Sequence, residues 1–204
     1  MSFTKSFEHK QKLLDAALEE FNAYGYEQAS INRILDKAGM SKGQFYYHFK
    51  NKEALYFALM ELGIEKKLEY FASLNLLADS PKDIFDLFKT QLRYGIAFAI
   101  EHPAIYQLSQ ALLKEKGNPI YEKVMARYDF KENEVIGQLI EGAYARGEFR
   151  DDFPLGFVKQ MIGYLFNQVT DFVTLDDPDE MEKNLNYLID FMRNGLAKCQ
   201  EIGD

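Results

Sequence analysis

The sequence predicts an all-α fold of about nine helices. Two observations carry that reading. Apolar residues recur at helical spacing through most of the 204 residues, with no stretch of the strict alternation a half-buried strand needs. Prolines follow capping or turn residues at Ser80-Pro81, His102-Pro103, Asn118-Pro119, Phe153-Pro154 and Asp177-Pro178, so they read as helix starts. The 47% apolar and 15% aromatic content supports a sizeable core around such helices.

The elements follow in order. Leu13, Leu14, Ala17, Leu18 and Phe21 form one stripe, giving a first helix over residues 6–24 that Gly25 stops. Ile31, Ile34, Leu35 and Ala38 form a short second helix closed by Gly39, a residue suited to the left-handed turn after a helix. Ser41 with Gln44 three residues on is a capping-box pattern opening a third. Asn51 caps the next, with Glu53 in its first turn; Leu55, Leu59, Leu62 and Leu68 extend it over residues 51–77. The proline breaks then give helices over 81–101, 104–116, a long one over 119–146, and one over 154–175. Asp177-Pro178 opens the last, over 178–200, with Glu180 at the capping-box position.

Net charge is -8, which argues against DNA binding by the chain as a whole. The distribution is uneven. Residues 1–52 carry eight Lys and Arg against six Asp and Glu, and residues 53–204 carry 16 against 26. Contact with a polyanion is therefore expected only at the N-terminal end. Cys199 alone permits no intrachain disulfide, the N-terminus lacks an apolar signal region, and no apolar run approaches the roughly 20 residues of a membrane span. The expectation is a cytoplasmic protein without membrane association. Its domains would cover residues 1–50 and 51–204.

Residues 29–53 are the most informative stretch. Helix, glycine-bearing turn and helix outline a helix-turn-helix. At helical spacing Phe45 and Phe49 point inward, while Gly43, Gln44 and Tyr47 fall on the opposite side. Lys42, Tyr46 and His48 flank that face, and Lys50 and Lys52 follow it. Such a face suits the DNA major groove, with Gln44 and Tyr47 at base edges and Gly43 permitting close approach. Lys42, Tyr46, His48 and Lys52 are expected at phosphates, and Arg33 at either.

Gly25-Tyr26, Ile34, Ala38-Gly39, Ser41-Lys42-Gly43, Phe45-Tyr46-Tyr47-His48-Phe49 and Lys52-Glu53-Ala54-Leu55 together resemble the signature of the tetracycline-repressor (TetR) family. The match runs from near Lys10 to Tyr56, about a quarter of the chain. Leu35 departs from it, since the family usually has Ala there. The resemblance implies a ligand-responsive regulator that binds a palindromic double-stranded DNA operator as a homodimer, with repression as the default. It also implies a small-molecule pocket in each subunit.

The residues add two expectations of their own. The helix over 154–175 carries two apolar stripes, and the last helix a further one, more than one subunit can cover. Met161, Leu165, Gln168, Phe172, Leu185, Leu188 and Met192 are the candidate dimer residues. Phe88, Gln91, Leu92, Tyr94, Phe98, His102, Tyr106, Tyr128, Phe166, Asn167 and Thr170 mix aromatic and polar groups, as the lining of a site for a mostly hydrophobic effector would. His9, His48 and His102 lie far apart, and no metal, nucleotide or nucleophile motif is found. Neither an enzyme nor a cofactor or metal is expected. Two other classes stay compatible with the residues: a DNA-organising or scaffold protein without an effector, and a helical enzyme with a dispersed site.

Overall fold

The computed structural model of the chain describes residues 7–74, 81–128, 132–168 and 177–198. Among them stand α1 Lys10–Gln28, α2 Ile31–Ala38, α3 Lys42–His48, α4 Lys52–Ser73, α5 Ile84–Glu101, α6 Pro103–Lys114, α7 Pro119–Tyr128, α8 Glu132–Ala145, α9 Leu155–Asn167 and α10 Pro178–Leu196. Extended pairing among the described residues is an isolated bridge of Phe149 with Ala197, where Arg150 N donates to Leu196 O at 2.9 Å and Lys198 N to Glu148 O at 3.0 Å.

The chain divides into two compact units. Met1–Leu74 with Phe98–Asp129 forms one, and Asn75–Ala97 with Phe130–Asp204 the other. In the first, α1 buries Leu13, Ala17 and Phe21, and α2 buries Ile34, Leu35 and Ala38. Leu35, the departure from the family pattern, is core. Each fully buried Leu, Ile or Phe contributes on the order of 2 kcal/mol. The local signals formed as read. Gly39 takes φ 64° and its N–H turns back to Asp36 O, while Met40 N donates to Leu35 O at 3.0 Å. Ser41 and Gln44 make the reciprocal capping box, at 3.2 Å from Gln44 N to Ser41 Oγ and 2.9 Å from Ser41 N to Gln44 Oε1. Ala54 N donates to Asn51 Oδ1 at 2.8 Å. Gly25, at φ 67° and ψ 179°, breaks the helical backbone where the first helix was expected to stop, and a short further turn follows to Gln28.

In the second unit Ile84, Phe85, Phe88, Ile140, Val158, Ile162, Ile189 and Met192 share one apolar cluster. Three readings are corrected there. Asp83 opens α5 by accepting from Asp86 N at 2.8 Å, so the helix begins beyond Pro81; Ser80 lies outside the described residues. The long helix expected over 119–146 is two, α7 and α8, whose residues belong to different units. Apolar periodicity runs through both pieces, but each piece buries its stripe in a different core. Met192, read as a dimer residue, is 1% exposed and belongs to the cluster; Leu165 and Leu188 pack against it. A helix with two apolar stripes leaves open which one faces its own subunit.

Candidate nucleic-acid interface

Helix α3 is anchored by Phe45 and Phe49, both buried and stacked at 5.8 Å. Its other side is bare. Tyr47 is 77% and Tyr46 58% exposed, and Lys42, Gly43 and Gln44 are exposed with them. Gln44 uses its Oε1 in the capping box, so the amide group is held with the nitrogen available to donate outward. A Cβ on Gly43 would meet nothing nearer than Ser41 Oγ at 4.0 Å. The fold itself therefore does not demand glycine there. His48 is half-buried because Phe7, from the segment before α1, stacks on its ring at 4.1 Å and meets Phe49 edge-on at 6.3 Å. Phe7 carries no periodic signal, and the sequence reading missed it.

Two cations stand elsewhere than expected. Lys52 Nζ donates to the carbonyls of Tyr26, Glu27 and Ala29 at 2.7, 3.0 and 3.2 Å and lies 4.7 Å over the Tyr26 ring. All three ammonium donors serve the fold, so Lys52 is a clamp on the backbone from Tyr26 to Ala29 rather than an open phosphate contact. Arg33 donates through Nε to Glu20 Oε1 at 2.8 Å and through Nη2 to the same oxygen and to Gln28 O, and it lies 4.5 Å over Tyr24. Ser30 N reaches the same Glu20 oxygen at 2.8 Å. Burial alone would raise the Glu20 carboxyl, but Arg33 and the Ser30 N–H hold it below its ordinary value. Arg33 thus orients α2 against α1, with its guanidinium still half-exposed.

An exposed Lys-Gly-Gln…Tyr-Tyr-His helix on a capped, buried anchor is the geometry of a recognition helix. The family model for bacterial regulatory proteins of the tetR family matches residues 13–59, which span all of α2 and α3. Over those residues the chain is similar to the DNA-binding region of the TetR family. It is similar to an HTH-type transcriptional repressor of Mycobacterium tuberculosis, 39% identical over 57 residues, covering 28% of this chain and 30% of that protein. It is similar along nearly its whole length to the HTH-type transcriptional regulator QacR of Staphylococcus aureus, 24% identical over 93% of this chain and 98% of the regulator. A solved TetR-family transcriptional regulator from Chloroflexus aurantiacus superposes with a TM-score of 0.72 at 25% identity, covering 97% of each chain. The chain spans less than two thirds of several relatives, down to 18% of the A-factor receptor protein of Streptomyces griseus.

The other candidate residues fall into separate places. Phe88 packs edge-on against Phe166 at 5.2 Å in the second unit, where Gln91, Leu92 and Tyr94 are half-buried. Phe98 and His102 meet at 4.7 Å in the first unit, beside Tyr70. Tyr106 is half-buried there, and Tyr128 Oη donates to Phe57 O at 2.8 Å, tying α7 to α4. Thr170, Phe172 and the side chain of Asn167 lie outside the described residues. Two grooves occur. One of about 570 Å³ runs between α1 and α6, lined by Asp15, Asn22, Ala104 and Gln107; one of about 370 Å³ runs between α8 and α9, lined by Ile140, Lys159, Tyr164 and Phe166. Only Phe166 of the proposed lining borders either. On α9 and α10 the outward apolar residues are Phe157, Met161 and Tyr164, and Tyr187 and Phe191. Of the candidate dimer residues Met161 is among them, while Gln168 and Leu185 are half-buried. Among the described residues no helix is long and apolar enough to cross a membrane, and no group of three His, Cys, Asp or Glu could hold a metal.

Proposed function

We propose that the chain is a ligand-responsive, DNA-binding transcriptional regulator that represses by occupying a palindromic operator as a homodimer. The observation that carries this is α3: buried phenylalanines on one side, and Gly43, Gln44 and Tyr47 exposed on the other with Lys42 and Tyr46 beside them. Gln44 and Tyr47 read base edges in the major groove, Gly43 lets the backbone come close, and Lys42, Tyr46 and His48 meet phosphates. Arg33 and Lys52 support the reading head from behind. The DNA-binding role falls to residues 1–50 and the effector and dimerisation roles to 51–204. TetR-family proteins are regulators rather than enzymes, and the chain's whole-length similarity to QacR supports the same class. The small effector is mostly hydrophobic, matching the aromatic character of α5 and α9, and must bind the DNA-incompetent arrangement better than the competent one.

Enrichment of duplexes from a random pool tests the reading. A palindromic consensus is expected, with half-sites about one helical turn apart or somewhat more. Tyr47→Ala should weaken binding to that duplex by about 1–3 kcal/mol and change the enriched bases at the positions it reads. Unchanged affinity and preference would remove α3 from the interface.

A further inference from the structure

We infer that Glu115, delivered by the C-terminal end of α6, is a positioning residue for DNA binding: its carboxylate seats the Gly25–Tyr26 turn from which the helix-turn-helix departs. The inference rests on the DNA-binding reading above. Tyr26 N donates to Glu115 Oε1 at 3.1 Å across 89 residues of sequence. Asn118 Nδ2 donates to the other carboxylate oxygen, so both oxygens are held. The Glu115 main chain is fixed as well, its N–H donating to Leu112 O and its carbonyl accepting from Asn118 N at 2.8 Å. On the other side of the contact, Gly25 has φ 67°, and a Cβ there would stand 2.9 Å from Glu115 Oε1. The left-handed backbone calls for glycine, and a Cβ there would push the carboxylate end of Glu115 away from the turn.

The two peptide groups that flank the Tyr26 Cα are therefore held by opposite charges. The Tyr26 N–H faces the Glu115 carboxylate, and the Tyr26 carbonyl accepts from the Lys52 ammonium at 2.7 Å. Hydrogen bonds to ionised groups are about twice as strong as neutral ones. The Tyr26 ring continues the joint, packing on Phe21 at 6.3 Å and Tyr56 at 5.0 Å. Burial, and then the Glu115 charge, pushes the buried Tyr56 phenol up, so it stays neutral beneath the carboxylate. A second tie runs alongside, from Asn22 Nδ2 to Ala104 O at 3.1 Å. Ser30 follows Tyr26 by four residues and caps α2. A change of torsion at the turn consequently reorients α2 and α3 together, and α6 supplies the group that sets that torsion.

The experiment compares variants on the duplex that the wild-type chain enriches and on an unselected duplex of equal length. Glu115→Ala, shown folded by circular dichroism, should bind the enriched duplex about tenfold more weakly and the unselected one within about twofold, since phosphate contacts are untouched. Tyr26 amide exchange should speed up. Glu115→Gln keeps an acceptor for Tyr26 and should stay within about threefold of wild type. Gly25→Ala supplies the same test without altering Glu115 and should show the same selective loss. Its effect should shrink in the Glu115→Ala background, because the left-handed strain is common to both backgrounds and the carboxylate contact is not. Wild-type specific affinity in folded Glu115→Ala, equal losses on both duplexes, or strict additivity of the two changes would each overturn the inference. If the wild-type chain enriches no duplex, the DNA-binding reading falls and takes this one with it. If it does and the variants match it, only the role of Glu115 falls.

Discussion

Lys42 and Lys52 are both cations beside the recognition helix, and their surroundings give them opposite work. Lys52 directs its three donors to the carbonyls of Tyr26, Glu27 and Ala29. Lys42 is exposed on the first turn of α3. Lys52→Met should lower stability to denaturant by about 1–3 kcal/mol and leave the salt dependence of operator binding unchanged. Lys42→Ala should leave stability within about 0.5 kcal/mol and make the logarithmic salt slope shallower by about one. Glu20 gives a pH prediction. Its folded carboxyl titrates below the ordinary value of 4.5, because Arg33 and the Ser30 N–H overcome the effect of burial. The folded chain thus binds fewer protons there than the unfolded chain does. The stabilisation is complete above about pH 5 and is lost as pH falls through the folded value. Glu20→Gln should lower the melting temperature at pH 7 and make it less sensitive to acid below about pH 5; parallel melting curves for the two proteins would reject this account.

Helix α3 is seven residues long, too short to persist alone. It stands because the Ser41–Gln44 box closes its first turn and because Phe45 and Phe49 are buried beneath it. Gly43 works against that stability, since glycine disfavours helix and nothing in the fold crowds its Cβ position. Gly43→Ala should therefore stabilise the chain by up to about 1 kcal/mol while weakening binding to the enriched duplex, as a methyl group holds the helix off the bases. Thermal unfolding and duplex titration on one sample separate the two effects. A variant that is stabilised and binds as well as wild type would show that Gly43 does not face the DNA.

For the whole molecule, the proposed homodimer needs an apolar face to share with a second copy. Phe191 is 69% exposed on α10, with Tyr187 one turn before it, and Phe157, Met161 and Tyr164 face outward on α9. Met192, the next residue along, is buried in the subunit's own core. Phe191→Glu should give folded monomers in sedimentation and lose operator binding without any change at α3, since a two-fold dimer is needed to hold both half-sites. Met192→Ala should instead lower the stability of the fold itself by about 2–5 kcal/mol. A Phe191→Glu chain that still sediments as a dimer would move the interface elsewhere.

What the sequence alone determined about this protein is everything that depends on neighbours within a turn of helix. The all-α class, the Gly39 turn, the Ser41–Gln44 box, the Asn51 cap and the inward Phe45 and Phe49 follow from spacing of three and four residues, which the backbone imposes wherever a helix forms. The exposed Tyr46 and Tyr47 were legible for the same reason: once Phe45 and Phe49 are inside, the remaining positions of α3 are outside. The packed chain was needed to bring Arg33 to Glu20, Lys52 to Tyr26 and Glu115 to Tyr26, contacts that span 13 to 89 residues of sequence. A cation near a helix end is attracted to a phosphate and to a carbonyl alike, and sequence spacing does not say which comes within 3 Å. It likewise decided that Met192 turns inward and Phe191 outward, and that the periodic stretch over 119–146 is divided between two cores. Periodicity defines a stripe on a helix, but the hydrophobic effect is non-directional and any apolar surface will cover that stripe; the packed chain alone selects which surface does.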